Sequence, residues 1–356
     1  MKVAIAAGTR PEFIQVDPII RELIKRDIEY IFIHSGQHYD YEMDKIFFDE
    51  MHMPDPTHYL EVGSKLPGEQ IGEILTKSET IFHIEKPDIL LVTGDTNTAL
   101  GVALAANKSK ITVGHFEAGM RSFDRSMPEE INRIIIDNFA DILFSPTERG
   151  SMNLYDNGIY RNIFFVGDVM LDSIMHYREL IEIPSKTLKD LSLTQESYLL
   201  LTLHREANTD NKNRLKNIFD AISSLSYPVV FPIHPRTKQR LRNFNIKLPD
   251  NIRVISPVGY FEFLRLIYNA DKLLTDSGGV QKQAFFLSIP CITLRSNTEW
   301  VETIPNGWNI LVDDNREKII ESVLNFYPKS TPDLLQFGNG KSSCKIIDII
   351  QMMNPR

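Results

Sequence analysis

Three carboxylates occupy positions from which they could transfer protons. Asp95 follows the apolar run "DILLVTG", Glu117 follows "ITVGHF", and Glu129 follows a proline at a predicted helix start. Carboxylates suit general acid and base catalysis, so these side chains are candidates for proton transfer. Arg133, one helical turn after Glu129, could pair with it or bind the same ligand. The competing interpretation is that Glu129 and Glu130 only complement the positive end of a helix.

A glycine-containing loop has the chemistry of an anion site. In "LLTDSGGVQKQAFF" an apolar run ends at Thr275, and a helical pattern follows Ser277, Gly278 and Gly279. Glycine lets the backbone approach a ligand, and the N–H groups and dipole of a helix N-terminus favour negative charge. The segment matches neither the Gly-x-Gly-x-x-Gly motif nor a P-loop. It predicts a phosphate site of another kind, although a packing turn is the commoner role of such a loop taken alone.

Basic side chains follow other predicted strands. Arg10 comes after the first apolar run, in "GTRPE", where its planar guanidinium could bind a phosphate oxygen. His204 and Arg205 follow "YLLLTL", and His234 follows "VVFPI". A single buried histidine is more often structural. The matching positions of His204 and His234 after two successive strands favour a ligand instead.

The elements that position these residues alternate along the chain. Short runs rich in Val, Ile and Leu alternate with segments of helical periodicity, which predicts a doubly wound α/β fold with parallel strands. The pattern breaks at "IEIPSKTLKDLSLTQES" and then restarts. We expect two Rossmann-like domains, 1–168 and 169–356, with the last helix packing back on the first. Open α/β sheets bind ligands at the carboxyl ends of their strands, so two facing sheets would enclose a central cleft.

The composition narrows the classes of function. The 356 residues include 42% hydrophobic and 24% charged residues, with a net charge of −8. Such an acidic chain is not built to bind a nucleic-acid backbone. The two cysteines, Cys291 and Cys344, form neither a disulfide framework nor a zinc motif. No apolar run is long enough for a signal peptide or a membrane span, so we expect a soluble cytoplasmic protein without membrane or nucleic-acid partners.

Eight segments, taken together and in order, resemble the non-hydrolysing UDP-N-acetylglucosamine 2-epimerase family. They are "GTRPEFI", "SGQHYD", "GDTNTALG", "HFEAGMRSFDRSMPEEINR", "LTLHREANTD", "PIHPRT", "TDSGGVQKQAFF" and "LRSNTEWVE". The resemblance covers nearly the whole chain and implies a GT-B-type fold, a UDP-sugar substrate, a homodimer, and no metal or nicotinamide cofactor. Within the family, the fourth, seventh and eighth segments are most similar to two branches. One acts on UDP-2,3-diacetamido-2,3-dideoxyglucuronic acid, and the other comprises archaeal-type UDP-GlcNAc epimerases.

The implied reaction converts UDP-GlcNAc to UDP-ManNAc by inversion at carbon 2, for surface polysaccharide synthesis. The carbon 2 proton is poorly acidic, and anti elimination of UDP across carbons 1 and 2 couples its removal to the departure of a stabilised diphosphate. Re-addition of UDP to the 2-acetamidoglycal, with protonation of the opposite face, gives the epimer. The resemblance assigns catalysis to Asp95, Glu117, Glu129 and His204.

The resemblance also implies which residues bind the substrate, and it assigns Ser277, Gly278 and Gly279 to the diphosphate. The full set of implied substrate-binding residues is Arg10, Arg133, His234, Ser277, Gly278, Gly279, Gln283 and Arg295.

Three positions depart from the family pattern. Gln15 replaces a lysine, Gln283 replaces the glutamate thought to hold the ribose hydroxyls, and Glu69 replaces a glutamine of the regulatory UDP-GlcNAc site. A glutamine at the ribose loses charge-assisted hydrogen bonds, so nucleotide affinity is expected to be lower. A carboxylate near a second diphosphate is repulsive, which argues against activation by a second UDP-GlcNAc.

The residues of that regulatory site would be Gln37, His38, Glu69 and Arg205.

Alternatives remain open at this stage. A GT-B glycosyltransferase would share the nucleotide site but would not need the three carboxylates. A non-catalytic UDP-sugar-binding protein would be expected to lose them first, yet all three are present. Whether the glycal and UDP recombine or are released, and which UDP-HexNAc is bound, are further open points.

Overall fold

Two compact units make up the chain. The computed structural model describes residues 1–36 and 48–353. Unit 1 comprises Met1–His176 together with the C-terminal segment from Leu334, and unit 2 comprises Tyr177–Asp333. Each unit contains a parallel β-sheet and accompanying helices, so the predicted pair of Rossmann-like α/β folds is confirmed.

The sheet of unit 1 has seven strands in the order β3-β2-β1-β4-β5-β6-β7, and all pairs are parallel. The central strands are buried along their length, as expected for a parallel sheet that carries helices on both faces. The strands are β1 (Lys2–Ala7), β2 (Glu29–His34), β3 (His58–Tyr59), β4 (Ile89–Thr93), β5 (Thr112–Phe116), β6 (Ile142–Ser145) and β7 (Ile163–Phe165).

The main helices of unit 1 follow its strands. Several begin with the expected signals, such as proline in the first turn or a threonine cap. They are α1 (Arg10–Lys25), α2 (Pro67–Glu85), α3 (Asn97–Lys108), α4 (Pro128–Phe139), α5 (Glu148–Asp156) and α6 (Val169–His176).

The sheet of unit 2 has six strands in the order β10-β9-β8-β11-β12-β13, again all parallel. They are β8 (Leu199–Thr202), β9 (Val229–Pro232), β10 (Ile252–Ile255), β11 (Lys272–Thr275), β12 (Cys291–Thr293) and β13 (Asn309–Leu311).

Eight α-helices, several of them short, are described in unit 2. They are α7 (Arg178–Ile181), α8 (Lys186–Asp190), α9 (Glu206–Thr209), α10 (Lys212–Ser223), α11 (Pro235–Asn243), α12 (Tyr260–Tyr268), α13 (Gly278–Phe286) and α14 (Arg316–Asn325).

The strand order reverses at one place in each sheet. In unit 1 the reversal lies between β1 and β4, and in unit 2 it lies between β8 and β11. At such a switch point the neighbouring loops leave in opposite directions and open a crevice at the carboxyl ends of the strands. The loops after these four strands carry several of the residues that the sequence singles out, among them Arg10, Asp95 and Ser277.

The C-terminal segment returns to unit 1 and ends in α15 (Ser342–Met353), which packs on α1 and α6. Asp172 of α6 accepts the backbone N–H groups of Ser342 (3.0 Å) and Ser343 (2.8 Å) at the start of α15. Arg26 at the end of α1 donates a hydrogen bond to Asp348 (2.6 Å). These contacts fix the last helix to the first unit.

Across the described residues, no helix combines the length and the apolar character that a membrane span requires.

Candidate active site

Strand register brings two of the predicted carboxylates together. Thr93, the last residue of β4, pairs with Phe116, the last residue of β5. The residues that follow, Gly94 and Glu117, are therefore neighbours, and Glu117 Oε2 lies 3.5 Å from the position that a Cβ atom would take at Gly94. Asp95 is the next residue, so both carboxylates belong to one cluster of loops at the carboxyl ends of β4 and β5.

Asp95 is paired with the predicted arginine. Arg133 of α4 is buried and forms an ion pair with the half-buried Asp95 carboxylate. The neighbouring Asn132 donates from Nδ2 to the Asp95 backbone oxygen (2.9 Å), which fixes the turn itself. Arg133 therefore holds the Asp95 carboxylate in place.

Glu117 has an unusual backbone conformation. Its φ angle is +64°, in the left-handed region that non-glycine residues seldom occupy. Such a conformation costs on the order of 1 kcal/mol and persists only where surrounding contacts hold it, most often at functional sites. The backbone strain therefore supports a functional role for this side chain.

The two glutamates at the start of α4 differ in burial and in their hydrogen bonds. Glu130 is buried, and its carboxylate accepts hydrogen bonds from the Ser122 N–H (2.9 Å), the Ser122 hydroxyl (2.9 Å) and the Phe123 N–H (3.1 Å). Glu130 thus fixes the preceding loop, whereas Glu129 is only partly buried. The role of Glu130 is therefore structural, although it binds the loop before α4 and does more than complement the helix N-terminus.

A buried glutamate links the loops after β1 and β4. Oε2 of Glu12 accepts the N–H groups of Gly8 (2.8 Å) and Thr9 (2.9 Å), and Oε1 accepts the Thr96 hydroxyl (2.5 Å). Burial raises the pKa of Glu12 to about 7, although these hydrogen bonds oppose the shift. Arg10 begins α1 within this linked segment.

In unit 2 the glycine-containing loop forms the start of α13. Ser277 is the N-cap residue with an extended backbone, and its hydroxyl makes no capping hydrogen bond. Gly278 and Gly279 form the first turn, where backbone N–H groups have no partners inside the helix. This arrangement has the donors that a phosphate requires.

The Gly278 position is closely approached by a carboxylate. A Cβ atom at Gly278 would overlap Oε1 of Glu299, and Glu299 is in turn paired with Arg295 (2.9 Å). Both side chains are largely buried. Arg295, a predicted substrate ligand, therefore lies beside the N-terminus of α13.

Asp276 joins the two switch-point loops of unit 2. This fully buried carboxylate accepts the N–H groups of His204 (3.1 Å) and Arg205 (3.0 Å) and the amide of Asn208 (3.2 Å). The loop after β8 is thereby fixed to the loop that leads into α13. Asp276 belongs to the glycine-containing segment "LLTDSGGVQKQAFF", but the sequence pattern predicted no role for it.

The two predicted histidines lie near one another. The rings of His204 and His234 are 6.4 Å apart between centroids. Nδ1 of His234 accepts the Arg236 N–H (3.2 Å), so Nε2 carries the proton of the neutral ring. Burial and the adjacent Arg205 lower the pKa of His204, while Asp276 acts in the opposite direction.

Gln283 lies inside α13 and is buried. Its Oε1 atom has no hydrogen-bond partner within the part of the chain that the structure describes. Buried acceptors of this kind are rare unless a ligand or water completes them. The atom therefore supports a ligand contact at this position.

The remaining predicted residues are distributed as follows. Gln15 is buried in α1 and accepts a hydrogen bond from the Thr93 hydroxyl, so it contacts the end of β4 without a charge. Glu69 is exposed in the first turn of α2. Gln37 and His38 lie outside the described residues.

Sequence reasoning missed the buried carboxylates that hold these loops. Besides Glu12 and Asp276, they include Asp137 on α4, which contacts His115 and Arg121 (2.6 Å). Each is a charged residue inside an otherwise apolar or helical pattern. That pattern is the signal that could have marked them, because charged side chains are seldom buried without partners.

The chain is similar to known proteins over nearly its whole length. The profile of the UDP-N-acetylglucosamine 2-epimerase family matches residues 21–351. A UDP-N-acetylglucosamine 2-epimerase homolog of Methanococcus maripaludis is 50% identical over 356 residues, covering 99% of each chain. The UDP-2,3-diacetamido-2,3-dideoxy-D-glucuronate 2-epimerase of Pseudomonas aeruginosa is 40% identical over 358 residues, covering 98% of this chain and 99% of the relative.

A solved structure is similar over the whole chain. The crystal structure of Methanocaldococcus jannaschii UDP-GlcNAc 2-epimerase in complex with UDP-GlcNAc and UDP has a TM-score of 0.91 and 48% identity. The match covers 99% of this chain and 100% of that one.

Proposed function

The chain belongs to the UDP-N-acetylglucosamine 2-epimerase family, and on that premise we propose that it interconverts UDP-GlcNAc and UDP-ManNAc. As a member of this family it is an epimerase. The observation that carries the proposed reaction is the cluster in unit 1, where Asp95 and Glu117 follow neighbouring strands and Arg133 pairs with Asp95.

The chemistry proceeds in two halves. A base removes the proton from carbon 2, the C–H electron pair forms the double bond to carbon 1, and the bond from carbon 1 to the diphosphate oxygen breaks. UDP then adds back to carbon 1 of the 2-acetamidoglycal while an acid protonates the opposite face of carbon 2. The two proton transfers need acid and base groups on both faces, and Asp95, Glu117 and Glu129 supply them.

Unit 2 supplies the contacts to UDP. The start of α13 at Ser277, Gly278 and Gly279 receives the diphosphate, because helix N-terminal N–H groups favour phosphate oxygens. Arg295 adds a cation beside this turn, and the buried Gln283 Oε1 accepts a hydrogen bond from a ribose hydroxyl.

Arg10 and His234 serve as further UDP ligands in this proposal. His204 lies beside His234 and acts at the reacting end of the nucleotide sugar.

Solvent deuterium tests the mechanism. We expect product formed from UDP-GlcNAc in deuterium oxide to carry deuterium at carbon 2, because the returning proton comes from a group that equilibrates with water. Turnover should need no added metal or NAD. Product without deuterium at carbon 2 would rule out elimination and re-addition.

A second substrate deserves a parallel assay, since the Pseudomonas relative named for UDP-2,3-diacetamido-2,3-dideoxy-D-glucuronate is 40% identical to this chain. The chemistry at carbons 1 and 2 would be the same. The ratio of kcat/KM for the two nucleotide sugars identifies the preferred substrate.

We further propose that the enzyme is a cytoplasmic homodimer that supplies a surface polysaccharide pathway. Free Cys291 and Cys344 fit a reducing compartment. Exposed Met152, Tyr155 and Tyr160 on and beside α5 are suited to an interface between copies. Light scattering should give twice the mass of the chain, and Tyr155→Glu should lower it.

A further inference from the structure

Both sides of Glu117 are held by the same residue. Asp137 of α4 contacts His115, two residues before Glu117, through Oδ1 and His115 Nδ1 (2.8 Å). It also accepts the Gly119 N–H, two residues after Glu117, through Oδ2 (3.2 Å). The left-handed backbone of Glu117 therefore lies between two anchor points on one carboxylate.

The same carboxylate reaches the turn that carries Asp95. Nε2 of His115 lies 2.9 Å from the Gly94 backbone oxygen. A carbonyl oxygen only accepts hydrogen bonds, so Nε2 donates, and Nδ1 faces the Asp137 carboxylate. One chain of contacts thus runs from Asp137 through His115 to the residue before Asp95.

The contacts are fully sequestered from water. The side chains of His115, Asp137 and Arg121 are each exposed by 1% or less. Burial alone would raise the pKa of Asp137, but the hydrogen bonds and charges of His115 and Arg121 outweigh it and lower the pKa. Asp137 is therefore ionised and keeps both of its oxygens as acceptors.

We propose that Asp137 is a positioning residue for the proton transfers, which fixes the Glu117 carboxylate against the Gly94–Asp95 turn through His115 and the Gly119 N–H. The proposal rests on the proposed function, because it assumes that Glu117 and Asp95 transfer protons. It adds that their relative placement is set by a residue that touches no substrate. Misplacement of reacting groups by about 1 Å can slow a reaction roughly a hundredfold.

Asp137→Asn tests this, with Asp172→Asn as the matched control. Both carboxylates are buried in unit 1 and accept backbone N–H groups, but Asp172 holds α15 and not the carboxylate cluster. We expect D137N to lower kcat tenfold to a hundredfold and to change the Kd for UDP less than threefold. D172N should lower the melting temperature and leave kcat within twofold of the wild type.

His115→Asn covers the case in which D137N does not fold. Its amide nitrogen can replace Nδ1 and keep the contact to Asp137, while the contact to Gly94 is lost. We expect a fall in kcat of about tenfold with unchanged UDP affinity. If a folded D137N or H115N keeps the kcat of D172N, the positioning role is wrong.

Hydrogen exchange separates this proposal from the proposed function. An active wild type establishes the epimerase assay, and inactivity on both nucleotide sugars would overturn the proposed function. In either case amide exchange of residues 115–121 should accelerate at least tenfold in D137N and not in D172N. Unchanged exchange in that segment would show that Asp137 does not fix the backbone around Glu117, and would overturn its positioning role.

Discussion

Units 1 and 2 bring their loops together at the same kind of switch point but anchor them differently. In unit 1, Glu12, Glu130 and Asp137 each hold loop N–H groups with a buried carboxylate. In unit 2, Asp276 performs this task, and the ligand-facing part is the start of α13 with its backbone donors. Proton transfer needs side chains fixed to a fraction of an ångström, whereas a phosphate is satisfied by several backbone donors. The comparison predicts that changes in the carboxylate cluster of unit 1 affect turnover, whereas changes at the start of α13 in unit 2 affect nucleotide affinity.

The largest effect is expected at Glu117. Glu117→Gln should lower kcat by roughly 10²–10⁴-fold, the usual range for a lost general acid or base. UDP affinity should stay nearly unchanged because Glu117 is not among the proposed UDP ligands. Turnover assays measure kcat, and calorimetry with UDP measures the affinity. The control is Glu79→Gln, which changes an exposed glutamate of α2. Lost UDP binding with normal turnover at saturation would reverse the assignment of the two units.

Glu12→Gln should change how stability depends on pH. The native carboxyl keeps its proton to about pH 7, while the unfolded one loses it near the ordinary value of 4.5. The stabilisation that Glu12 gives the native state is therefore fully present below pH 4.5 and is lost as the pH rises through 7. Relative to E12Q, the wild type should lose about 3 kcal/mol of unfolding free energy across that window. Urea unfolding at pH 5 and pH 8 measures it, and parallel curves for the two proteins would contradict the prediction.

Gly278→Ala should act on the other unit. The new Cβ would overlap the Glu299 carboxylate and displace it together with Arg295, so UDP binding should weaken about tenfold, or ~1.4 kcal/mol. Titration calorimetry with UDP measures the change. Gly72→Ala, whose Cβ would meet no atom within 4 Å, should have no effect on binding. Equal affinities for G278A and G72A would place the diphosphate elsewhere.

The smallest effect is expected at Gln283. Gln283→Glu should tighten UDP binding by ~1 kcal/mol, because a carboxylate makes stronger hydrogen bonds to ribose hydroxyls than an amide does. 2′-Deoxy-UDP provides the control ligand if the bond is to the 2′-hydroxyl, since the gain should then disappear. Weaker binding of UDP itself would indicate that the surroundings of Gln283 suit only a neutral side chain.

The sequence was sufficient for the two parallel sheets because buried parallel strands are short apolar runs that differ clearly from helices. It did not indicate the short strands β3 and β13. The clustering of Asp95 near Glu117 also followed from sequence, because carboxyl ends of neighbouring strands meet at one edge.

Other features depend on contacts between distant residues and were not predictable. The Asp137 contact to His115 spans 22 positions, and the Thr96 contact to Glu12 spans 84. The choice between Glu129 and Glu130 depends on which one turns toward Ser122. The left-handed backbone of Glu117 likewise reflects tertiary contacts, because the residue type itself does not favour it.

The return of α15 to unit 1 has a consequence for synthesis on the ribosome. Translation delivers residues from the N-terminus, yet the surfaces of α1 and α6 that α15 covers are completed only by the final residues. Unit 2 is continuous and can close as soon as Asp333 has emerged, whereas unit 1 waits with an uncovered apolar seam. Such a seam is a target for chaperones in a nascent chain. Premature termination between Asp333 and α15 would therefore damage unit 1 more than unit 2.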